Sequence, residues 1–287
     1  MIAILKKEMR AYFTSVAGYG FLAVLLLMAG LFFSVINVDG KLASFAYALN
    51  NCTVLFLILI PVLTMRLFAE EARQKTDQLL FTSPLRVSQI VTGKFLAALL
   101  LFLIGMGITV LLPFTLSLIG SIPTAEVAST YIGYILLGSC YIAVGLFISS
   151  LTENQIIAAV VTFAVLLLFL VMDMLVLAMP SGRLASAIFL GAIAAGISLA
   201  LYTSTKNLWI AIGFFVLCAA AGTITFFANN LLFDGVIGQF MSWFSLLKRF
   251  DTFFSGIMNL SDVVYYVTFS IAFVFLTIHT IEKRRWK

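Results

Sequence analysis

Charge is the scarcest commodity in this chain. Asp, Glu, Lys and Arg together make up 10% of the 287 residues, there is one histidine, and proline occurs five times. Soluble domains carry roughly a quarter charged residues, and a soluble core cannot absorb a composition that is 63% apolar with a mean hydropathy of +1.15. The three cysteines, Cys52, Cys140 and Cys218, each sit in apolar surroundings and form no Cys-x-x-Cys pair. Neither a disulfide framework nor a cysteine metal site is encoded, and buried small side chains are the expectation.

Missing motifs exclude further classes. The sole Gly-Lys, Gly93-Lys94, is followed by Phe95 and lacks the earlier glycine of a phosphate-binding P-loop. No His-Glu-x-x-His or Gly-x-Ser-x-Gly occurs, which argues against an intramembrane protease or hydrolase. His279 stands alone near the end of the last apolar run, where a headgroup-facing or hydrogen-bonded role is expected rather than catalysis. No catalytic site is therefore expected on this chain, and no metal or other cofactor.

What the sequence has in abundance is long apolar runs. A helix rises 1.5 Å per residue, so about 20 apolar residues cross the roughly 30 Å hydrocarbon layer. The runs lack the period-2 alternation of barrel strands, and in lipid only helices and closed barrels satisfy their own backbones. The fold class expected is all-α, a polytopic transmembrane bundle in one domain over 1–287. We expect about eight spans, at 16–38, 47–69, 94–119, 127–151, 155–179, 183–202, 208–228 and 263–281. Six to eight fit the pattern, the sixth being the weakest.

The net charge of +5 does not point to nucleic acid, because the basic residues lie between the spans. With the N-terminus inside, one face collects Lys6, Lys7, Arg10, Arg66, Arg73, Lys75, Arg86, Lys94, Lys206, Lys283, Arg284, Arg285 and Lys287. The other holds Lys41, Arg183, Lys248 and Arg249. The positive-inside rule then places both termini in the cytoplasm of a multi-pass plasma-membrane protein, and a bacterial setting is expected. No cleaved signal peptide is expected, since no short apolar region is followed by an Ala-x-Ala site.

Three segments do not read as spans. At the start, Ile2, Leu5, Met9 and Tyr12 repeat at helical spacing. They suggest either an interfacial helix over 1–15, with Lys6, Lys7 and Arg10 toward lipid phosphates, or an extension of the first span. The segment 70–93 is the one long polar interval on the inner side. Ser83 can cap and Pro84 can open a short helix there. The segment 229–262 is aromatic but broken by Gly235, Gly238 and Gly256, which suggests amphipathic helices at the outer leaflet or a re-entrant pair.

Charges within a span are the default functional candidates. Asp173 is the clearest, and an outward-facing pathway role competes with an interfacial position or pairing with Arg183. Gly191 with Ala195 and Ala192 with Gly196 recur four apart, as at close helix contacts. Pro61 and Pro113 predict kinks, or hinges in the sharper reading.

The stretch EEARQKTDQLLFTSPLRVSQIVTGKF resembles the signature region of type-2 ABC exporter permeases. That pattern has paired acids, basic residues, Gly-Thr-x-Glu, leucines, Thr-Ser-Pro and then Gly-Lys-Phe. Glu70, Glu71, Arg73, Thr76, Leu79, Leu80, Thr82, Ser83, Pro84, Gly93, Lys94 and Phe95 match it, while Lys75 replaces the usual glycine and Gln78 the usual glutamate. The opening KKEMRAYFTSVAGYGFL resembles the family's N-terminal interface helix and first span, and the closing stretch from RFDTFFSGIMNLSDVVYYVTF through EKRRW resembles the end of the gliding-motility-type subgroup.

The resemblance implies a permease subunit beside a separate cytoplasmic ABC ATPase that holds ATP and Mg, and a second permease subunit, identical or different. It implies a coupling helix by position over 84–91, with Glu70, Glu71, Arg73, Leu79, Leu80, Thr82, Ser83, Pro84 and Leu85 as the ATPase-coupling residues. Cargo would be hydrophobic or amphipathic, moved outward. Two other functions stay open, a non-transporting membrane anchor or regulator for an ATPase, and an ion-driven secondary transporter built on Asp173.

Overall fold

In the computed structural model the described residues are 1–76, 85–178, 236–243 and 245–285, with isolated helical pieces at 188–189, 191–192, 195–196, 198–199, 212–214 and 216–217. Among them there is helix and turn but no strand, as backbones surrounded by apolar side chains require. The expected sixth and seventh spans, 183–202 and 208–228, lie largely outside the described residues.

Helix α1 covers Ile2–Thr14 and α2 covers Val16–Phe32, continuing as a π-helical turn over Phe33–Asp39. Between α1 and α2, Ser15 is extended at φ −111° and ψ 153°. The N-terminal segment is thus a helix of its own rather than an extension of the first span. After a turn held by Asn37, whose Nδ2 donates to the carbonyls of Leu42 and Ser44, the second span runs through α3 (Ala46–Cys52), a 3-10 turn, α4 (Phe56–Thr64) and α5 (Ala69–Arg73).

The third span is α6 (Val87–Thr109) followed by α7 (Leu111–Ile119). The break at Val110 has its cause in Pro113, which cannot donate to the carbonyl of Thr109. Residues 87–91, which the sequence reading assigns to a short coupling helix, are the first turns of α6, because nothing between Arg86 and Phe95 breaks a helix. Helix α8 (Thr124–Leu151) is the fourth span and α9 (Gln155–Ala178) carries the fifth. Then come α10 (Val236–Trp243), α11 (Leu246–Phe254) and α12 (Leu260–Arg285).

Six of these stretches are long and apolar enough to cross a membrane: Val16–Asp39, Ala46–Arg73, Val87–Leu118, Thr124–Leu151, Gln155–Met172 and Leu260–Arg284. The second and fourth are the most enclosed, each with 72% of its apolar window buried, against 22% for the first and last. Helix α8 is the central post. Helix α12 packs along it, and α11 lies against it where Gly133 leaves no side chain in the way: a Cβ there would sit 2.6 Å from the Cβ of Phe253.

The chain divides into two compact units, Met1–Leu170 with Leu246–Lys287, and Val171–Ser245. In the second, Phe189 meets Phe240 edge to face at 5.6 Å and Gly238 approaches Val176. Of the small residues at 191–196, nothing described lies within 4 Å of a Cβ placed on Gly191 or Gly196. Cys52 and Cys140 are buried and free, as small apolar side chains are; Cys218 lies outside the described residues.

Candidate functional site

The second span unwinds just before its polar end. Residues 65–68 form turns rather than α-helix, and such a break strands backbone groups that an apolar environment leaves without partners. Three other segments supply them. Tyr12 on α1 donates its hydroxyl to the Leu63 carbonyl at 3.1 Å. Ser149 on α8 accepts from the N–H of Phe68 and Ala69 at 3.1 and 3.2 Å and donates to the Met65 carbonyl at 3.2 Å. Lys94 on α6 donates to the Leu67 carbonyl at 2.6 Å.

Lys94 is the hub. Its residue is 1% exposed, and its ammonium has three donors to place. Besides Leu67, Nζ reaches Glu8 Oε1 on α1 and Glu71 Oε2 on α5, both at 2.9 Å. It also lies 5.1 Å from the centre of the Phe68 ring, within cation–π range. The second oxygen of Glu71 accepts from Lys7 at 2.9 Å. Two carboxylates thus face two ammonium groups, which is what makes burial of such charge tolerable.

Sequence dictates this arrangement locally. Ile4, Glu8 and Tyr12 recur four apart and form the buried face of α1, so Glu8 is carried inward with its apolar neighbours. Gly93 lets α1 approach α6, since a Cβ there would stand 3.2 Å from the Cβ of Ile4. Burial tends to lower the affinity of Lys7 for its proton, but the hydrogen bond and charge of Glu71, with Glu8 behind it, outweigh that and hold its pKa above the ordinary lysine value. Burial, helped by the charge of Glu8, likewise pushes the Tyr12 phenol up, keeping it a neutral donor.

Helix α5 ends in a Schellman arrangement: the N–H of Lys75 reaches the Ala72 carbonyl and that of Thr76 the Glu71 carbonyl, at 3.1 and 3.0 Å. Lys75 takes φ 56°, the left-handed conformation that favours glycine. The glycine that the signature pattern carries at this position therefore has a backbone reason, and this chain keeps the geometry with a lysine.

Of the residues singled out for coupling, Glu71 is turned inward on Lys94 and Lys7. Glu70 pairs with Arg66 at 2.7 Å, Arg73 is exposed, and Leu85 packs partly buried against the core. Leu79, Leu80, Thr82, Ser83 and Pro84 lie outside the described residues. Asp173 belongs to α9 by its backbone, and its side chain lies outside the described set. Sequence reasoning did not single out Glu8 or Ser149, and it placed Tyr12 only in an apolar repeat with Ile2, Leu5 and Met9, whereas the buried face is Ile4, Glu8 and Tyr12. The signal for Glu8 was a charged residue in phase with Ile4 and Tyr12.

Beside the cluster, Glu8, Ala11, Tyr12, Ser15, Arg66, Leu67 and Glu70 line an open cleft of about 50 Å³, room for a water or two rather than cargo. At the opposite end of the first unit, Arg249 bonds Asp262 at 3.0 Å and stacks 3.9 Å over the Tyr265 ring, while Thr252 donates to the same carboxylate. This staples α11 to the start of α12. Among the described residues, no three His, Cys, Asp or Glu side chains gather as a metal site would need.

The model of the family described as ABC-2 family transporter protein matches residues 33–190, more than half of the chain. The chain belongs to this family. As an ABC-2 protein it is a multi-pass membrane permease subunit of an ABC transporter, a transport component of the kind that works with a cytoplasmic ABC ATPase. The matched residues include Glu71 and Lys94, whereas Glu8 lies before them. No curated protein matches the chain.

Proposed function

We propose that this ABC-2 permease is one membrane half of an exporter of hydrophobic or amphipathic cargo, of the gliding-motility-type subgroup, and that a separate ATPase drives it through segment 70–93. Leu79, Leu80, Thr82, Ser83, Pro84 and Leu85 form the contact surface, with Glu70, Glu71 and Arg73 at its base. ATP and Mg reside on the partner, and a second permease subunit completes the pathway. Both termini, with the 1–15 helix on the inner leaflet, lie on the ATPase side of a bacterial plasma membrane. Residues 229–262 face the outer leaflet.

The observation that carries this reading is that the two flanks of the segment meet in one cluster. Glu71 stands at its start and Lys94 directly follows its end, and the two are bonded at 2.9 Å. A push on the segment cannot be absorbed by one span alone. ATP binding would then supply the free-energy difference between inward-open and outward-open arrangements.

Co-expression with the ATPase tests it. The permease should retain the ATPase through purification, and Leu80→Asp or Pro84→Arg should release it or abolish its response while the permease stays folded. Unchanged association and activity in both variants would refute the coupling assignment. In reconstituted vesicles, ATP-dependent redistribution of a fluorescent phospholipid probe is expected from an exporter of such cargo, and an active ATPase that moves no probe would favour the anchor reading. An Asp173→Asn variant should stay active; its loss of activity would favour the ion-driven reading.

A further inference from the structure

The extended Ser15 leaves α1 without helical continuity to the first span, so where α1 sits depends on its side-chain contacts. These converge on the flanks of segment 70–93. Glu8 meets Lys94 at 2.9 Å, Ile4 rests on Gly93, Tyr12 is bonded to the Leu63 carbonyl, and Lys7 reaches Glu71. The Lys7 pair is more than half exposed on its lysine side and contributes little. The Glu8 to Lys94 pair is enclosed, and a charged partner lost there is felt fully.

We propose that Glu8 and Lys94 are positioning residues that make α1 a rigid extension of the coupling segment, so that displacement of the segment carries α1 with it and reaches the first span through α1. This rests on the coupling role proposed above. The competing picture is an N-terminal helix that rests on lipid and parts from α6 during the cycle.

Ile4 reports on the difference, being 5% exposed under α1. In nanodiscs, Ile4→Cys should react slowly with a polar maleimide, against a blank lacking that substitution, both without nucleotide and with ATP and vanadate in the ATPase complex. Glu8→Gln keeps the shape and removes the charge, and it should speed labelling about tenfold in both states. Pairing Ile4→Cys with Gly93→Cys brings Cβ atoms near the separation of about 3.5–4.5 Å that a disulfide needs. Oxidising that pair should leave the ATPase response to the permease intact; Glu8→Gln should weaken that response, and oxidation of the pair should restore it until reductant is added.

The proposal is overturned if Ile4→Cys becomes reactive only with ATP and vanadate, if Glu8→Gln leaves labelling unchanged, or if oxidation of the pair abolishes the ATPase response. The nucleotide-free labelling scores the clamp on the permease alone. If the ATPase fails to bind or respond even to the unsubstituted permease, the coupling reading falls, while the labelling result still judges whether Glu8 and Lys94 hold α1.

Discussion

Replacing Lys94 by methionine keeps the length and apolar stem of the side chain and removes one charge from a slot that is 1% exposed. Glu8 and Glu71, with side chains only 12% and 14% exposed, would lose the ammonium 2.9 Å from each, and the Leu67 carbonyl would lose its donor. Breaking a buried pair from one side costs about 3–5 kcal/mol, and Lys7 can restrain only part of that, since it already serves Glu71 and lies 3.9 Å from Glu8. For a chain of this size such a loss corresponds to a Tm lower by on the order of 10 °C. Tryptophan fluorescence on heating the purified protein measures it. The triple variant Lys94→Met, Glu8→Gln, Glu71→Gln removes the stranded charges as well and should recover more than half of the loss, because neutral replacement of a buried ion group is often close to neutral in stability. A Lys94→Met protein within about 2 °C of the parent, or a triple variant less stable than the single, would refute the reasoning.

Other substitutions carry smaller or opposite effects in the same thermal assay. Tyr12→Phe should cost about 1 kcal/mol by leaving the Leu63 carbonyl without its donor. Gly133→Ala should cost about 1–3 kcal/mol, because the added methyl meets Phe253 at 2.6 Å and α11 must shift. Lys75→Gly should raise stability by up to about 1 kcal/mol, through relief of the left-handed backbone. Since the pKa of Lys7 is raised on folding, its share of stability is complete below the ordinary lysine value and lost only as pH climbs past the raised one. A melting series from pH 6 to pH 9 should therefore show no step that Lys7→Gln removes.

The six spans seen among the described residues were legible because composition leaves no other way to house such apolar runs, and Pro113 foretold the break at Val110. The separation of α1 from the first span was open in the sequence and turns on the backbone of Ser15, which no strong breaker marks. The unwinding at 65–68 was not legible either: neither Gly nor Pro lies there, and the turn persists because Tyr12, Ser149 and Lys94 arrive from elsewhere to bond the freed groups. The signature pattern directed attention to Glu71 as an outward contact. Its inward role depends on Glu8 and Lys94, 86 residues apart in the chain, a separation that local spacing cannot report. The Lys75 departure from the family pattern was visible at once, yet its meaning needed the positive φ.

The central claim is that another protein's ATP hydrolysis enters this bundle between Glu70 and Lys94. The most direct measurement is the ATP hydrolysis rate of the partner ATPase, alone, with this permease, and with its Leu80→Asp variant, in the same lipid. The account predicts that the permease changes the rate and that Leu80→Asp returns it to the value of the ATPase alone. A rate that the permease changes equally with and without Leu80→Asp would contradict it.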